Sequence, residues 1–300
     1  VAGGAIKTIN EDSTAQISLA DLAAQITASD VDGSITSYSI TAVPNGTVRI
    51  GTSLATSTAW HASNNHIIDA SKLLFWTPAQ DQNGSFDAFT VRARDNGGAV
   101  SSTTTTLEIT VNAINDAPIF SGDQPTLTTI SEDPITVTGE RVSDLVAANF
   151  SDAADQVVGG SSANNLAGIA VLEYSENAAQ GQWQYSSNNG SSWQTLASVG
   201  SAASARTLAS SDLLRFLPAD NFYGTTPALT IALVDTSTSV TTGATINAAT
   251  RGGSTPFSDT TATLTQQITG VSDIGADSYT INEDTVLDAD LFANDNFGNV

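Results

Sequence analysis

Apolar and polar residues alternate along Phe89-Thr-Val-Arg-Ala93, Leu107-Glu-Ile-Thr-Val111 and Leu229-Thr-Ile-Ala-Leu233. A period of two is the mark of a strand with one buried face. Turn chemistry breaks the chain between such runs, at Pro44-Asn-Gly46, Gln82-Asn-Gly84, Asp95-Asn-Gly-Gly98 and Asn188-Asn-Gly190. Many short strands with regularly spaced turns predict an all-β chain of antiparallel β-sandwiches. Ser18 to Ile26 and Ser143 to Phe150 each read as a short helical turn opened by a serine cap.

The chain also repeats itself. Lys7-Thr-Ile-Asn-Glu-Asp12, Thr128-Thr-Ile-Ser-Glu-Asp133 and Tyr279-Thr-Ile-Asn-Glu-Asp284 match, and repetition decides architecture before any local reading does. An Asp-Leu pair follows each of them, at Asp21-Leu22, Asp144-Leu145 and Asp290-Leu291, and then a second acidic group: Asp30 and Asp32, Asp152 and Asp155, and Asp295. The repeat predicts three domains, 1–115, an enlarged 116–272, and 273–300 as the start of a third. The junctions at Asn115-Asp-Ala-Pro118 and Val271-Ser-Asp273 are too short for flexible linkers, so neighbouring repeats are expected end to end.

Charge narrows the function. With 31 acidic residues against 9 basic ones the formal net charge is -22, which excludes nucleic acid or an anionic membrane surface as a main partner. Charged residues are only 13% of the chain, so the acid is not spread as in a disordered tail. It is mostly aspartate, the residue of turns and of oxygen-ligand metal loops. Cysteine is absent, which removes disulfides and thiolate zinc sites. Methionine is absent as well, and the chain is read as an internal piece of a longer polypeptide. No apolar run approaches the roughly 20 residues needed to span a bilayer, so no membrane insertion is expected.

In a sandwich the repeated acids are expected to gather at the seams between domains. Glu11, Asp12, Asp95, Asn115 and Asp116 would meet Asp152 and Asp155 at the first seam. Glu132, Asp133, Asp235 and Asp273 would face Asp288, Asp290 or Asp295 at the second, and Asp30 and Asp32 would face a preceding domain. Calcium takes about 6 to 8 oxygen ligands and suits such a meeting. Without a cation, like charges at about 4 Å repel by several kcal/mol at an effective dielectric near 20.

The first domain combines the Asn-Glu-Asp opening, Asp30-x-Asp-Gly33, Asn45-Gly-Thr-Val48, Trp76-Thr-Pro-Ala79 with Asn83-Gly84, Asp95-Asn-Gly-Gly98 and the closing Val111-Asn-Ala-Ile-Asn-Asp-Ala-Pro118. In this combination it resembles the cadherin-like tandem repeats of large RTX-type bacterial surface adhesins. The resemblance covers nearly all of domain 1 and the segment from Tyr279 to Asn296. In domain 2 it rests on the Ser-Glu-Asp opening and Leu217-Pro-Ala-Asp-Asn-Phe-Tyr-Gly224. It implies Ig-like sandwiches acting as calcium-stiffened extender modules, exported by type I secretion and displayed on a Gram-negative cell in adhesion and biofilm formation. A monomer whose partners are calcium and its own neighbouring repeats follows from the same resemblance. Pro134 and the Val-Ser-Asp ending set domain 2 apart from the pattern.

The alternative reading makes domain 2 a binding module for a glycan or a host or partner-cell surface protein. Ser186-Ser-Asn-Asn-Gly-Ser-Ser-Trp193 matches a loose Asp-box hairpin, and Trp183, Tyr185 and Trp193 would form an aromatic platform if exposed, or a packed hairpin if not. Catalysis is not expected. There is no Gly-x-Ser-x-Gly, no cysteine, and no His paired with a serine and an acid in repeated context.

Overall fold

A computed structural model gives the fold of residues 4–273 and 296–297. The chain divides into two compact units, Val1–Ile114 with Ala153–Ala163, and Asn115–Asp152 with Asn164–Val300. The loop Ala153–Ala163, expected in the second domain, thus belongs to the first unit.

Unit 1 is built from β1 (Lys7–Asn10), β2 (Ala15–Ile17), helix α1 (Leu19–Gln25), β3 (Ile35–Ala42), β4 (Thr47–Gly51), β5 (Thr58–Ala59), β6 (Ile67–Ile68), β7 (Leu73–Thr77), β8 (Gly84–Asp95) and β9 (Thr105–Asn112). One sheet has the order β1-β9-β8-β3-β6 and the other β2-β7-β4-β5. The alternation read in β9 buries Leu107, Ile109 and Val111, and these join Ile17, Ile50, Leu74 and Trp76 of the second sheet in one core. Sharing a core between two sheets is what makes a sandwich. The sandwich is not wholly antiparallel as expected, because β1 runs parallel to β9, with Lys7 opposite Ile109 and Asn10 opposite Asn112.

Helix α1 forms where its cap is. Ser18 Oγ accepts from the Asp21 amide at 3.2 Å, while the Asp21 carboxylate accepts from Ser18 N at 2.8 Å, a reciprocal capping box. Lys7 Nζ donates to the same carboxylate at 2.8 Å. Burial alone would raise the Asp21 carboxyl, but Lys7 and Ser18 outweigh it and hold it below the ordinary aspartate value. Since the folded carboxyl titrates below its unfolded counterpart, its stabilisation is complete above the unfolded pKa and disappears as pH falls through the folded one. Asp21→Asn should therefore flatten the acid side of the stability profile measured by denaturant unfolding across pH, and Ser18→Ala should cost about 1 kcal/mol at neutral pH.

Unit 2 repeats the plan with longer connections. Its strands are β10 (Ile119–Phe120), β11 (Thr126–Ser131), β12 (Glu140–Arg141), β13 (Phe150–Ser151), β14 (Leu166–Glu173), β15 (Gly181–Ser186), β16 (Gln194–Thr195), β17 (Ala205–Ala209), β18 (Leu213–Pro218), β19 (Gly224–Thr225), β20 (Leu229–Asp235), β21 (Thr245–Ile246) and β22 (Ala262–Thr269), with helix α2 (Val142–Val146) after β12. The sheets are β11-β22-β20-β14-β17-β21 and β12-β18-β15-β16, and β11 again runs parallel to β22. The core joins Ile169, Ile231 and Leu264 of one sheet to Trp183, Leu214 and Phe216 of the other. Helix α2 differs from expectation: its N-cap is Arg141, with no side-chain cap bond, because Ser143 already lies inside the helix.

Ser272–Asp273 pairs with Asn296–Phe297. The expected ligands Asp288, Asp290 and Asp295, and with them most of the expected third repeat, lie outside the described residues. No helix among the described residues is long and apolar enough to cross a membrane.

Candidate functional site

The repeated Glu-Asp dipeptide closes each sandwich in the same way. In unit 1, Glu11 N donates to Asn112 O at 3.0 Å, and the Glu11 carboxylate accepts from Ile114 N, two residues beyond β9. In unit 2, Glu132 N donates to Thr269 O at 2.8 Å, and its carboxylate accepts from Val271 N at 2.6 Å, two residues beyond β22. Each glutamate thus clamps the exit of the last strand to the first. Both are buried, with exposures of 7% and 4%.

The aspartate that follows sits in left-handed backbone, Asp12 at φ 55° and Asp133 at φ 50°. That conformation disfavours most side chains but is accessible to Asp and Asn. Each accepts from a second left-handed residue on the loop after the last strand, in chain order, of the smaller sheet. Asp81 N (φ 56°) donates to Asp12 Oδ1 at 3.3 Å, and Asn221 N (φ 55°) donates to Asp133 Oδ1 at 3.0 Å. Both loops read Pro-Ala-x-(Asp/Asn)-x-x-Gly, from Pro78 to Gly84 and from Pro218 to Gly224, and both glycines take a positive φ, 115° and 118°. Asp81 was not among the expected ligands, although its Pro-Ala loop is visible in the sequence.

Unit 1 adds a buried amide to this end. Asn83, 5% exposed, donates through Nδ2 to Glu11 Oε2 at 3.2 Å and to Ser161 Oγ at 2.8 Å, and its Oδ1 accepts from Ser161 N at 2.8 Å. Ser161 Oγ in turn donates to the Asp155 carbonyl, and Asp155 is 6% exposed. Glu11, Asp12, Asp81, Asn83 and Asp155 therefore share one end of unit 1.

Asp95 does not join them, which corrects the expected grouping. Strand β8 runs antiparallel to β9 with Gly84 opposite Val111, so its first residue lies near Glu11 and its last, Asp95, at the far end. There Asp95 and Asp30 line one cavity of about 360 Å³. Asp32 is exposed in the bend beside it.

Asp235 needs the same correction. It ends β20, which is antiparallel to β22, and so stands at the end of unit 2 away from Glu132 and Asp133. Its true neighbour is Asn115, whose Nδ2 donates to Asp235 Oδ2 at 3.3 Å and to Thr255 O at 3.2 Å. Asn164 then links Asn115, through a 2.9 Å bond to its Oδ1, with Asp152, whose Oδ2 accepts from Asn164 N at 2.6 Å. Asp235 is fully buried and Asp152 nearly so, at 6%; Asp116 is half-buried beside Asn115. Asp273 is described in its backbone pairing alone.

The aromatic hairpin is a packed one. Trp183 has no exposed surface, donates its indole N–H to Pro227 O at 2.7 Å, and meets Phe216 edge to face at 5.4 Å, so it belongs to the core and not to a platform. Tyr185 is buried as well. Trp193 remains half-buried with Arg215 over its ring at 3.8 Å, beside a cavity of about 640 Å³. The loose Asp-box residues tie the turn: Asn188 Oδ1 accepts from Ser186 Oγ and Ser192 N, and Ser186 Oγ accepts from Gly190 N.

No family model and no curated protein matches the chain. Among solved structures it is similar to EC22–24 of mouse cadherin-23, with a TM-score of 0.36 and 12% identity over 83% of this chain, and it spans 57% of that structure. It is also similar to EC1–2 of human mucin-like protocadherin, with a TM-score of 0.31 and 14% identity over 88% of this chain and 95% of that one. The sandwich assignment rests on the paired sheets and their shared cores.

Proposed function

We propose that the chain is a calcium-stiffened extender segment of a secreted bacterial surface adhesin, holding a distal binding tip away from the cell. The observation that carries this reading is carboxylate burial among neutral donors. Among the described residues, Glu11 and Asp235, at 7% and 0% exposure, accept from amide and hydroxyl groups. An ionised carboxylate withdrawn from water costs several kcal/mol unless a cation or strong hydrogen bonds compensate. The donors at hand are oxygens of carboxylates and amides, the chemistry of a hard cation.

In unit 1 the holding residues are Glu11, Asp12, Asp81 and Asp155 at one end and Asp30 and Asp95 at the other. In unit 2 they are Asn115, Asp152 and Asp235, and at the opposite end Glu132 and Asp133. When bound, calcium would supply positive charge to these clusters. The role is structural and not catalytic, carried out by a monomer outside the cell. The alternative, a ligand platform on unit 2, keeps only Trp193, and Arg215 already covers one face of that ring.

The test is calorimetric titration of calcium into the chelated whole chain, followed through thermal unfolding. Heat of binding and a rise in melting temperature are expected, since saturation at about 100 times Kd adds about 2.7 kcal/mol by linkage. Absence of both at several times the millimolar range typical of extracellular calcium modules would exclude the calcium reading.

A further inference from the structure

The chain holds four Asn-Gly pairs, at Asn45, Asn83, Asn96 and Asn189, and the fold treats them differently. We infer that Asn96 is a site of spontaneous deamidation, and that the change adds a further carboxylate to the Asp30–Asp95 end of unit 1.

The reaction needs the amide nitrogen of the following glycine to reach the asparagine Cγ. The Gly97 nitrogen loses its proton to a solvent base, bonds to Asn96 Cγ, and expels the side-chain nitrogen as ammonia. Water then opens the succinimide to aspartate or isoaspartate. A chain is therefore protected where the fold occupies the nucleophile, buries the amide, or fixes the backbone between them.

Three of the four pairs are protected in these ways. Asn83 is buried and uses both amide atoms, on Glu11 and Ser161. At Asn189 the attacking nitrogen of Gly190 is already engaged with Ser186 Oγ at 2.9 Å. Asn45 donates through Nδ2 to Asp87 O at 3.0 Å, its carbonyl accepts from the Trp76 indole at 2.8 Å, and Gly46 is pressed against the Trp76 ring, 2.8 Å from where a Cβ would stand.

Asn96 is tied to Ser34, whose carbonyl accepts from Asn96 N at 2.9 Å, but its amide is not buried and its nucleophile is not occupied. Asn96 and Gly97 are exposed in the turn after β8, and Gly97 N makes no hydrogen bond among the described residues. Around Gly97 the nearest atom to a Cβ position is Asp95 Oδ1 at 3.4 Å, so the backbone has room to rotate. Among the described residues the side chain has one bond, Ser34 N donating to Asn96 Oδ1 at 3.3 Å, which polarises the carbonyl toward attack without engaging the departing nitrogen. The consequence is local: Asn96 Oδ1 and Asp30 Oδ2 lie 2.3 and 2.6 Å from the same point above Gly33, so the new charge arises beside Asp30. Nothing in this chemistry depends on calcium.

Peptide mapping by mass spectrometry, after incubating the folded whole chain in warm, mildly alkaline buffer with chelator, tests it. Asn96 should convert at least ~10-fold faster than Asn83, whose reaction must wait for local opening. In urea the four rates should converge, and Gly97→Ala should slow the Asn96 reaction in the folded chain. Conversion of Asn45, Asn83 or Asn189 as fast as Asn96 in the folded chain, or a Gly97→Ala rate equal to that of the parent, would overturn the assignment.

Discussion

Trp183→Ala should remove about 3–5 kcal/mol from unit 2, a large part of the roughly 5–15 kcal/mol that holds a domain folded. The ring is fully buried, stacked edge to face on Phe216 and hydrogen-bonded to Pro227 O. The change would thus open a large cavity and leave the Pro227 carbonyl without its donor. Trp193→Ala is the control. It loses a half-exposed ring and its Arg215 contact, worth about 1 kcal/mol. Urea unfolding of both variants measures the contrast, and equal losses would contradict the division between core and surface rings.

Glu11→Ala should cost about 1–3 kcal/mol, because it leaves the Ile114 N–H and one N–H of the buried Asn83 amide without their acceptor. Glu11→Gln separates two roles that the alanine variant merges. The glutamine keeps an oxygen for Ile114 N but removes the charge, so the fold in chelator should lose less than with alanine while the calcium-dependent rise in melting temperature shrinks. A glutamine variant that retains the parent's full calcium shift would remove Glu11 from the ligand set and leave it as a strand clamp only.

The repeat was legible because its chemistry is local. A glutamate that must reach a strand end and an aspartate that must tolerate positive φ leave a dipeptide signature, and Glu11-Asp12 and Glu132-Asp133 carry it in the sequence. The clustering was legible only in part, because alternation says which face of a strand a residue occupies and not which end of the sandwich. Strand β8 is 12 residues long, and at about 3.4 Å per residue its two ends are some 40 Å apart. Asp95 therefore meets Asp30 and not Glu11, and the same geometry sends Asp235 to Asn115. Asp81 was missed for a different reason: a left-handed turn, with its N–H on Asp12, brings it to this end, and the Pro-Ala loop that carries the turn does not by itself announce an acidic neighbour. Trp183 and Trp193 looked alike in sequence, and only their register across β15 and the following turn separates them.

The parallel pairing of β1 with β9, and of β11 with β22, bears on how each unit resists tension. When two parallel neighbours are the first and last strands of a sandwich, the chain enters beside one and leaves beside the other at opposite ends of the same hydrogen-bonded ladder. A stretching force then runs along the ladder in shear and loads its bonds together. An antiparallel terminal pair would instead peel open one bond at a time. The Glu11 and Glu132 clamps add a bond at the end of each ladder and so share that load, which a forced-unfolding rate would register.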